Sequence, residues 1–184
     1  RHAKRSRVSS DLGTCMSEHQ SDWPADVSPT PEYEAALDFV KTGEGHLFVT
    51  GRAGTGKSTL LRVLKDAPDD DPIVVAPTGL AAVNVGGQTI HSFFGLPPRL
   101  ISSSDIKRSR NGRVMREMKT LVIDEISMVR SDLMWAIDQS LRLNRNRPLD
   151  AFGGVRLLLF GDLHQLPPVV RGHEEAAHLE HAHG

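Results

Sequence analysis

The chain of 184 residues carries 22 basic and 23 acidic side chains, so its overall charge gives no general attraction to nucleic acid. Apolar residues make up 39% of the sequence, which suits one buried core but leaves no room for a second large domain. With a single cysteine, Cys15, and no apolar run near the ~20 residues of a membrane helix, we expect a soluble protein in a reducing, cytoplasmic compartment.

Both ends of the chain are expected to lie outside the folded domain. Residues 1–28 are basic and then rich in Ser, Asp and Pro without apolar periodicity, which predicts a disordered leader. The first methionine is Met16, and one hypothesis is that translation begins there. Residues 172–184 are predicted to be a disordered tail. Its histidines His178, His181 and His183 could suggest a metal site, but no predicted strand or helix holds them in place. One folded domain is therefore expected over residues 29–171.

The domain is predicted to open with an amphipathic helix. Thr30 can cap it, Pro31 suits its first turn and Gly43 can end it. One face of this helix would carry the apolar side chains of Tyr33, Ala36, Leu37 and Val40. The pattern predicts a helix that packs on a core.

Strands and helices then alternate along the chain. Nearly continuous apolar runs predict strands covered on both faces, at HLFVT (46–50), IVVAP (73–77), TLVID (120–124) and VRLLLF (155–160). Helical patterns follow the first three, at KSTLLRVLKD, GLAAVNV and SDLMWAIDQSLRLNR, the last with a possible Asp138–Arg142 pair. This order predicts an α/β domain whose parallel sheet is sandwiched by helices.

Between the first strand and its helix lies a glycine-rich segment, TGRAGTGKSTLL. It fits the phosphate-loop pattern G-x-x-x-x-G-K-[ST] in the required strand-to-helix context. Its backbone N–H groups can converge on phosphate oxygens, Lys57 can reach the outer phosphates and Ser58 can offer a hydroxyl to Mg²⁺. The predicted ATP-binding residues are Gly51, Arg52, Ala53, Gly54, Thr55, Gly56, Lys57, Ser58 and Thr59.

Two other predicted strands end in polar residues that suit this chemistry. In TLVIDEIS, Asp124 can hold Mg²⁺ and Glu125 can orient and deprotonate the attacking water. In FGDLHQLPPVV, Gln165 either senses the γ-phosphate or is a polar loop residue fixed by Pro167 and Pro168. The sequence therefore predicts catalytic roles for Lys57, Glu125 and Gln165, and cation ligation by Ser58 and Asp124.

Four segments in order resemble motifs of one helicase family. GRAGTGKST, APTGLAAVNVGGQTIHSFFGL (76–96), LVIDEISMV (121–129) and FGGVRLLLFGDLHQLPPVV (152–170) are similar to motifs I, Ia, II and III of the Pif-type DNA helicases of superfamily one. The resemblance spans roughly residues 30–170. It implies a RecA-like P-loop NTPase domain that is the N-terminal motor half of an ATP-driven enzyme.

The resemblance also implies what the motor does. Pif-type enzymes move 5′ to 3′ on single-stranded DNA and unwind duplexes and forks in repair, recombination, replication and telomere maintenance, sometimes with other replication or repair proteins. Motif Ia of the family touches DNA. That nominates Pro77, Thr78, Gly79, Asn84 and His91 as DNA-binding residues, against structural alternatives of a helix cap at Thr78–Gly79 and a core histidine at His91.

A basic stretch from Arg99 to Arg116 contains six cations and a single acid, Asp105. On an exposed loop these side chains would contact phosphates without reading bases. A solvated loop with no ligand is an equal alternative.

The sequence departs from the family in two places. Related helicases carry an adenine-recognising glutamine in the helix before motif I, where this chain has Tyr33, so base selection is open and Tyr33 is a candidate to stack on a base. The chain also stops after LPPVVRGHEEAAHLEHAHG, whereas the family continues into a second RecA-like domain. We therefore expect the isolated chain to bind nucleotide, hydrolyse it poorly and not unwind DNA unless another chain completes it.

Two alternatives to this reading remain. One is a RecD-like helicase, which shares the motif style. The other is a nucleotide-binding switch or DNA-docking module with weak catalysis.

Overall fold

The computed structural model describes residues 28–42, 45–65 and 71–169. The predicted leader, Met16, Gly43 and the tail histidines lie outside or almost wholly outside these ranges, and the domain limits stay a prediction. The elements in chain order are α1 Pro31–Thr42, β1 Leu47–Thr50, α2 Lys57–Lys65, β2 Ile73–Ala76, α3 Gly79–Asn84, β3 Gln88–Thr89, α4 Ile90–Phe94, α5 Gly112–Glu117, β4 Thr120–Ile123, α6 Ser131–Arg145 and β5 Arg156–Gly161. Short 3₁₀ turns lie at Ser103–Asp105, Ile126–Met128 and Ala151–Gly154.

The described strands form one parallel sheet in the order β1-β5-β4-β2-β3. Successive side chains of a strand point to opposite faces, and β4 illustrates this. Val122 packs among α1 and α2, whereas its neighbours Leu121 and Ile123 pack among α4, α5 and α6. The sheet therefore separates two apolar cores, and the predicted α/β sandwich is confirmed.

Most predicted elements are confirmed at their predicted places. Leu37 and Val40 are buried on α1, and the Thr30 hydroxyl accepts the Tyr33 N–H at 3.4 Å. The Asp138–Arg142 pair forms within α6 at 2.7 Å. Among the described residues, no helix is long and apolar enough to cross a membrane.

Three expectations are wrong in detail. Strand β1 is not covered on both faces: it is an edge strand of the described sheet, and Phe48 is 43% exposed. Strand β3, with two residues, and helix α4, with five, were missed because each is too short to show a periodic pattern. The basic stretch is not one open loop, since its last part forms α5, whose Met115 is fully buried.

Candidate functional site

The predicted catalytic residues meet at one edge of the sheet. Because all described strands are parallel, their carboxyl ends share an edge, where ligands bind in open α/β sheets. The phosphate loop follows β1, Asp124 follows β4 and Asp162 follows β5. Since β5 lies between β1 and β4, Asp162 stands between the phosphate loop and Asp124.

The phosphate loop folds around Lys57. Its ammonium group donates to the carbonyls of Gly51 at 2.5 Å and Arg52 at 3.0 Å, which ties the two ends of the loop together. An ammonium group has three donors, so this geometry keeps one for a phosphate oxygen. The Thr55 hydroxyl closes the turn by donating to the Arg52 carbonyl at 2.9 Å.

The rest of the predicted nucleotide-binding set lies along the same loop and the first turn of α2. Gly54 and Gly56 have φ of 78° and 87°, the left-handed region that favours glycine. Arg52, Ala53, Thr55 and Ser58 are exposed, while Thr59 is partly buried. The open face of the loop and the N-terminus of α2 together form a concave surface of the kind that binds phosphates.

Asp124 and Glu125 leave β4 in a distorted turn. Burial raises the pKa of Asp124, as does the nearby Glu125 carboxylate, while the Glu125 N–H and Lys57 act in the opposite direction. Glu125 itself has φ 52° and ψ 45°, a left-handed conformation that is uncommon for a non-glycine residue and often found at functional sites. The structure therefore places the carboxylates of Asp124 and Glu125 next to each other at the sheet edge, and the pKa of Asp124 is raised.

Asp162 is the site residue that sequence reasoning missed. It is 4% exposed, and its carboxylate accepts hydrogen bonds from the His164 N–H at 3.0 Å and the Gln165 amide at 2.9 Å. These bonds, aided by Lys57, lower the pKa of Asp162, so it is ionised. The sequence signal is only an acid directly after the apolar run RLLLFG, and its place between the phosphate loop and Asp124 depends on the strand order.

Gln165 lies at the predicted edge, but its amide nitrogen is engaged by Asp162. The amide oxygen is the acceptor that this arrangement presents to a water or phosphate. Its role as a γ-phosphate sensor stays a prediction.

The nominated DNA-binding residues follow two paired strands, β2 and β3, and their contact with DNA stays a prediction. Pro77, Thr78 and Gly79 follow β2 at the carboxyl edge, and the Thr78 hydroxyl caps α3 by accepting the Ala81 N–H at 3.2 Å. Asn84 is the exposed last residue of α3, ~7 Å further along the helix axis. His91 lies on α4, where burial and nearby Arg130 lower its pKa while Asp132 raises it. It is therefore neutral near pH 7.

In the basic stretch, some cations form surface ion pairs and others line a groove. Arg99 binds Asp105 at 2.6 Å and Arg113 binds Glu117 at 2.9 Å. Lys107, Arg108 and Arg110 are exposed and line a groove of about 770 Å³ beside α4.

The sheet order, the phosphate loop and the facing carboxylates define a RecA-like P-loop NTPase domain. A sequence model of the PIF1-like helicases matches residues 31–182, and the chain belongs to this family. The ATP-dependent DNA helicase PIF1 of Candida albicans is 43% identical over 172 residues. These cover 87% of this chain and 18% of that relative.

Solved structures give the same result. A Pif1 structure titled for DNA unwinding at forked double-stranded DNA matches with a TM-score of 0.79 at 41% identity, over 85% of this chain and 38% of that one. Bacteroides Pif1 in complex with ADP-AlF3 and single-stranded DNA matches with a TM-score of 0.78 at 40% identity, over 85% of this chain and 37% of that one. The chain thus spans about a fifth of the length of the curated relative and under two fifths of either solved chain.

Proposed function

We propose that this chain is an ATP-hydrolysing motor domain of a 5′ to 3′ DNA helicase. The observation that carries the proposal is the convergence of Lys57, Asp124 and Glu125 at one sheet edge. Family membership and the likeness to Pif1 bound to ADP-AlF3 and single-stranded DNA support it.

The chemistry follows from what each side chain can do. Lys57 and the loop N–H groups bind the β- and γ-phosphates and offset their charge. Glu125 accepts a proton from a water held in line with the γ-phosphate, and the Gln165 amide oxygen orients that water. Asp162 lies beside Lys57 and holds Gln165 in place.

The site also suits Mg²⁺. Ser58 and Asp124 offer hydroxyl and carboxylate oxygens, and Mg²⁺ is commonly held by one or two carboxylates together with phosphates and waters. Among the described residues no cluster of three or more His, Cys, Asp or Glu could form a complete metal cage, which agrees with a cation that arrives with nucleotide. When bound, Mg²⁺ would neutralise charge that develops on the phosphates.

We propose that DNA lies across α4 and the exposed part of the basic stretch, close to Pro77, Thr78 and Gly79. Lys107 and Arg110 would contact phosphates without reading sequence. Removing both with alanine should reduce the salt dependence of single-stranded DNA binding by ~1.4 in the log–log slope. Arg113→Ala is the matched control, because that guanidinium is paired with Glu117. An unchanged slope in the double variant would remove this surface from the DNA path.

The proposed function is tested by nucleotide binding and by steady-state ATP hydrolysis with and without single-stranded DNA, using Lys57→Ala as control. We expect Lys57-dependent binding of a fluorescent ATP analogue. A Lys57-dependent rate that DNA raises many-fold indicates a motor that couples DNA binding to catalysis. Binding with a rate near background indicates half a motor that needs a second RecA-like domain, or a nucleotide-dependent switch. No binding at all refutes the proposal. The cytoplasmic location remains a prediction from the sequence.

A further inference from the structure

The first turn of α1 contacts the phosphate loop through Tyr33. The Tyr33 hydroxyl donates a hydrogen bond to the backbone carbonyl of Thr55 at 2.7 Å. The same hydroxyl lies against Gly56, where a side chain would overlap it. The contact links residues far apart in sequence and fixes the segment of the loop that precedes Lys57.

Tyr33 is held by a helix that is itself well anchored. Leu37 and Val40, one and two turns further along α1, are buried against α2 in the core beneath the loop. The Thr30 hydroxyl caps the first turn. The tyrosine therefore reaches the loop from a rigid support rather than from a mobile segment.

The direction of the contact has a consequence for phosphate binding. In a trans peptide the carbonyl and the N–H point in opposite directions. A hydrogen bond that draws the Thr55 carbonyl toward Tyr33 turns the Gly56 N–H away from the tyrosine. Gly56 directly precedes Lys57, whose ammonium group spans the loop to the carbonyls of Gly51 and Arg52.

We propose that Tyr33 is a positioning residue for phosphate binding: its hydroxyl holds the Thr55–Gly56 peptide so that the Gly56 N–H faces the nucleotide phosphates. The inference rests on the proposed nucleotide binding at this loop. It gives Tyr33 a role that does not involve the base, because the hydroxyl is directed to the loop backbone. Tyr33 then acts equally on every ligand that carries the same phosphates.

The test compares two variants that each lose one hydroxyl from α1. Tyr33→Phe removes the bond to Thr55. Thr42→Val removes a bond of the same length, 2.7 Å, which the Thr42 hydroxyl donates to the Phe39 carbonyl within α1. Affinities are measured by displacement of a fluorescent ADP analogue with ADP, GDP and inorganic tripolyphosphate, and thermal unfolding is recorded in parallel.

We expect Tyr33→Phe to weaken the binding of ADP, GDP and tripolyphosphate by the same factor. That factor should be about two- to tenfold, as for the loss of one hydrogen bond. Thr42→Val should leave all three affinities unchanged, and both variants should unfold at similar temperatures. In steady-state hydrolysis the loss should appear in KM more than in kcat.

Three results would overturn the proposal. Tyr33→Phe binding all three ligands like the wild type would show that the hydroxyl does not orient the loop. A loss for ADP or GDP without a loss for tripolyphosphate would assign Tyr33 to the base. An equal loss in Thr42→Val would show a general effect of α1 stability. If the wild type binds no nucleotide, or binds it independently of Lys57, the proposed function fails instead.

Discussion

Two aspartates in different regions of the molecule have pKa values shifted in opposite directions, although burial raises the pKa of both. Asp132, at the start of α6, is fully buried, and burial alone would raise its pKa. Hydrogen bonds from Arg130 and from the Ile101 N–H outweigh burial and lower the pKa. Asp124, at the sheet edge, is only partly buried, yet its pKa is raised.

The two pKa shifts differ because the two carboxylates have different partners. The protein itself supplies cationic and N–H donors to Asp132, so its charge is compensated within the fold. At Asp124 the protein adds a second acid, Glu125, and supplies incomplete compensation. A carboxylate left in this state is suited to a ligand that brings positive charge. The α6 face is thus arranged for stability and the sheet edge for binding.

The largest effect that tests this contrast is expected for Glu125→Gln. The amide keeps the size of the side chain but cannot accept a proton, so DNA-stimulated hydrolysis should fall by ~10²- to 10⁴-fold. Nucleotide affinity and thermal stability should change little, because Glu125 serves chemistry rather than packing. Glu117→Gln, on the exposed surface of α5, is the control for loss of one acid. A variant that keeps most of its activity would exclude Glu125 as the base.

The second test removes the negative charge of Asp132, which the fold compensates. Asp132→Asn removes the carboxylate charge beside the Arg130 guanidinium, whose side chain is only 16% exposed. Breaking a buried pair in this way costs about 3 kcal/mol or more in free energy of unfolding, which corresponds to a fall of roughly 10 °C in Tm for a chain of this size. Denaturant unfolding followed by circular dichroism measures it. A loss below ~1 kcal/mol would show that water replaces the missing partner.

Asp124→Asn should change the free energy of unfolding in the opposite direction, towards greater stability, and by a smaller amount. Because the folded protein holds the Asp124 proton more tightly than the unfolded chain, wild-type stability falls as pH rises from the ordinary carboxyl range through the raised pKa. The asparagine variant lacks this term, so it should be more stable than the wild type near pH 7, with the advantage fading as pH falls.

Thermal unfolding of both proteins from the ordinary carboxyl range, about pH 4, up to neutral pH measures the Asp124 effect. Added Mg²⁺ and ADP should stabilise the wild type more than the variant. A variant that is less stable than the wild type at every pH would show that Asp124 is compensated by the protein after all.

The sequence predicted the sheet, its helices and the phosphate loop because these depend on local patterns. Apolar runs define β2, β4 and β5, and glycine spacing with Lys57 defines the loop. The role of Asp162 was missed because it depends on strand order, which places β5 between β1 and β4. The Tyr33 contact was missed for the same reason: α1 meets the loop only after the chain folds.

The smallest expected effect shows how burial changes the contribution of a compensated ion pair to stability. The Arg113–Glu117 and Arg130–Asp132 pairs have the same nitrogen-to-oxygen distance, 2.9 Å. Their exposures differ, at 82% and 65% for the side chains of the first pair against 16% and 0% for the second. Glu117→Gln should therefore cost no more than ~0.5 kcal/mol in free energy of unfolding, as for exposed pairs one turn apart on a helix.

Salt dependence sharpens the comparison of the two pairs. The small contribution of Glu117 should vanish at high salt, because solvent ions screen exposed charges, whereas the cost of Asp132→Asn should persist. Denaturant unfolding of both variants at low and high salt measures this. If the two variants lost equal stability, the distance between the charged atoms, and not their burial, would govern the contribution of these pairs.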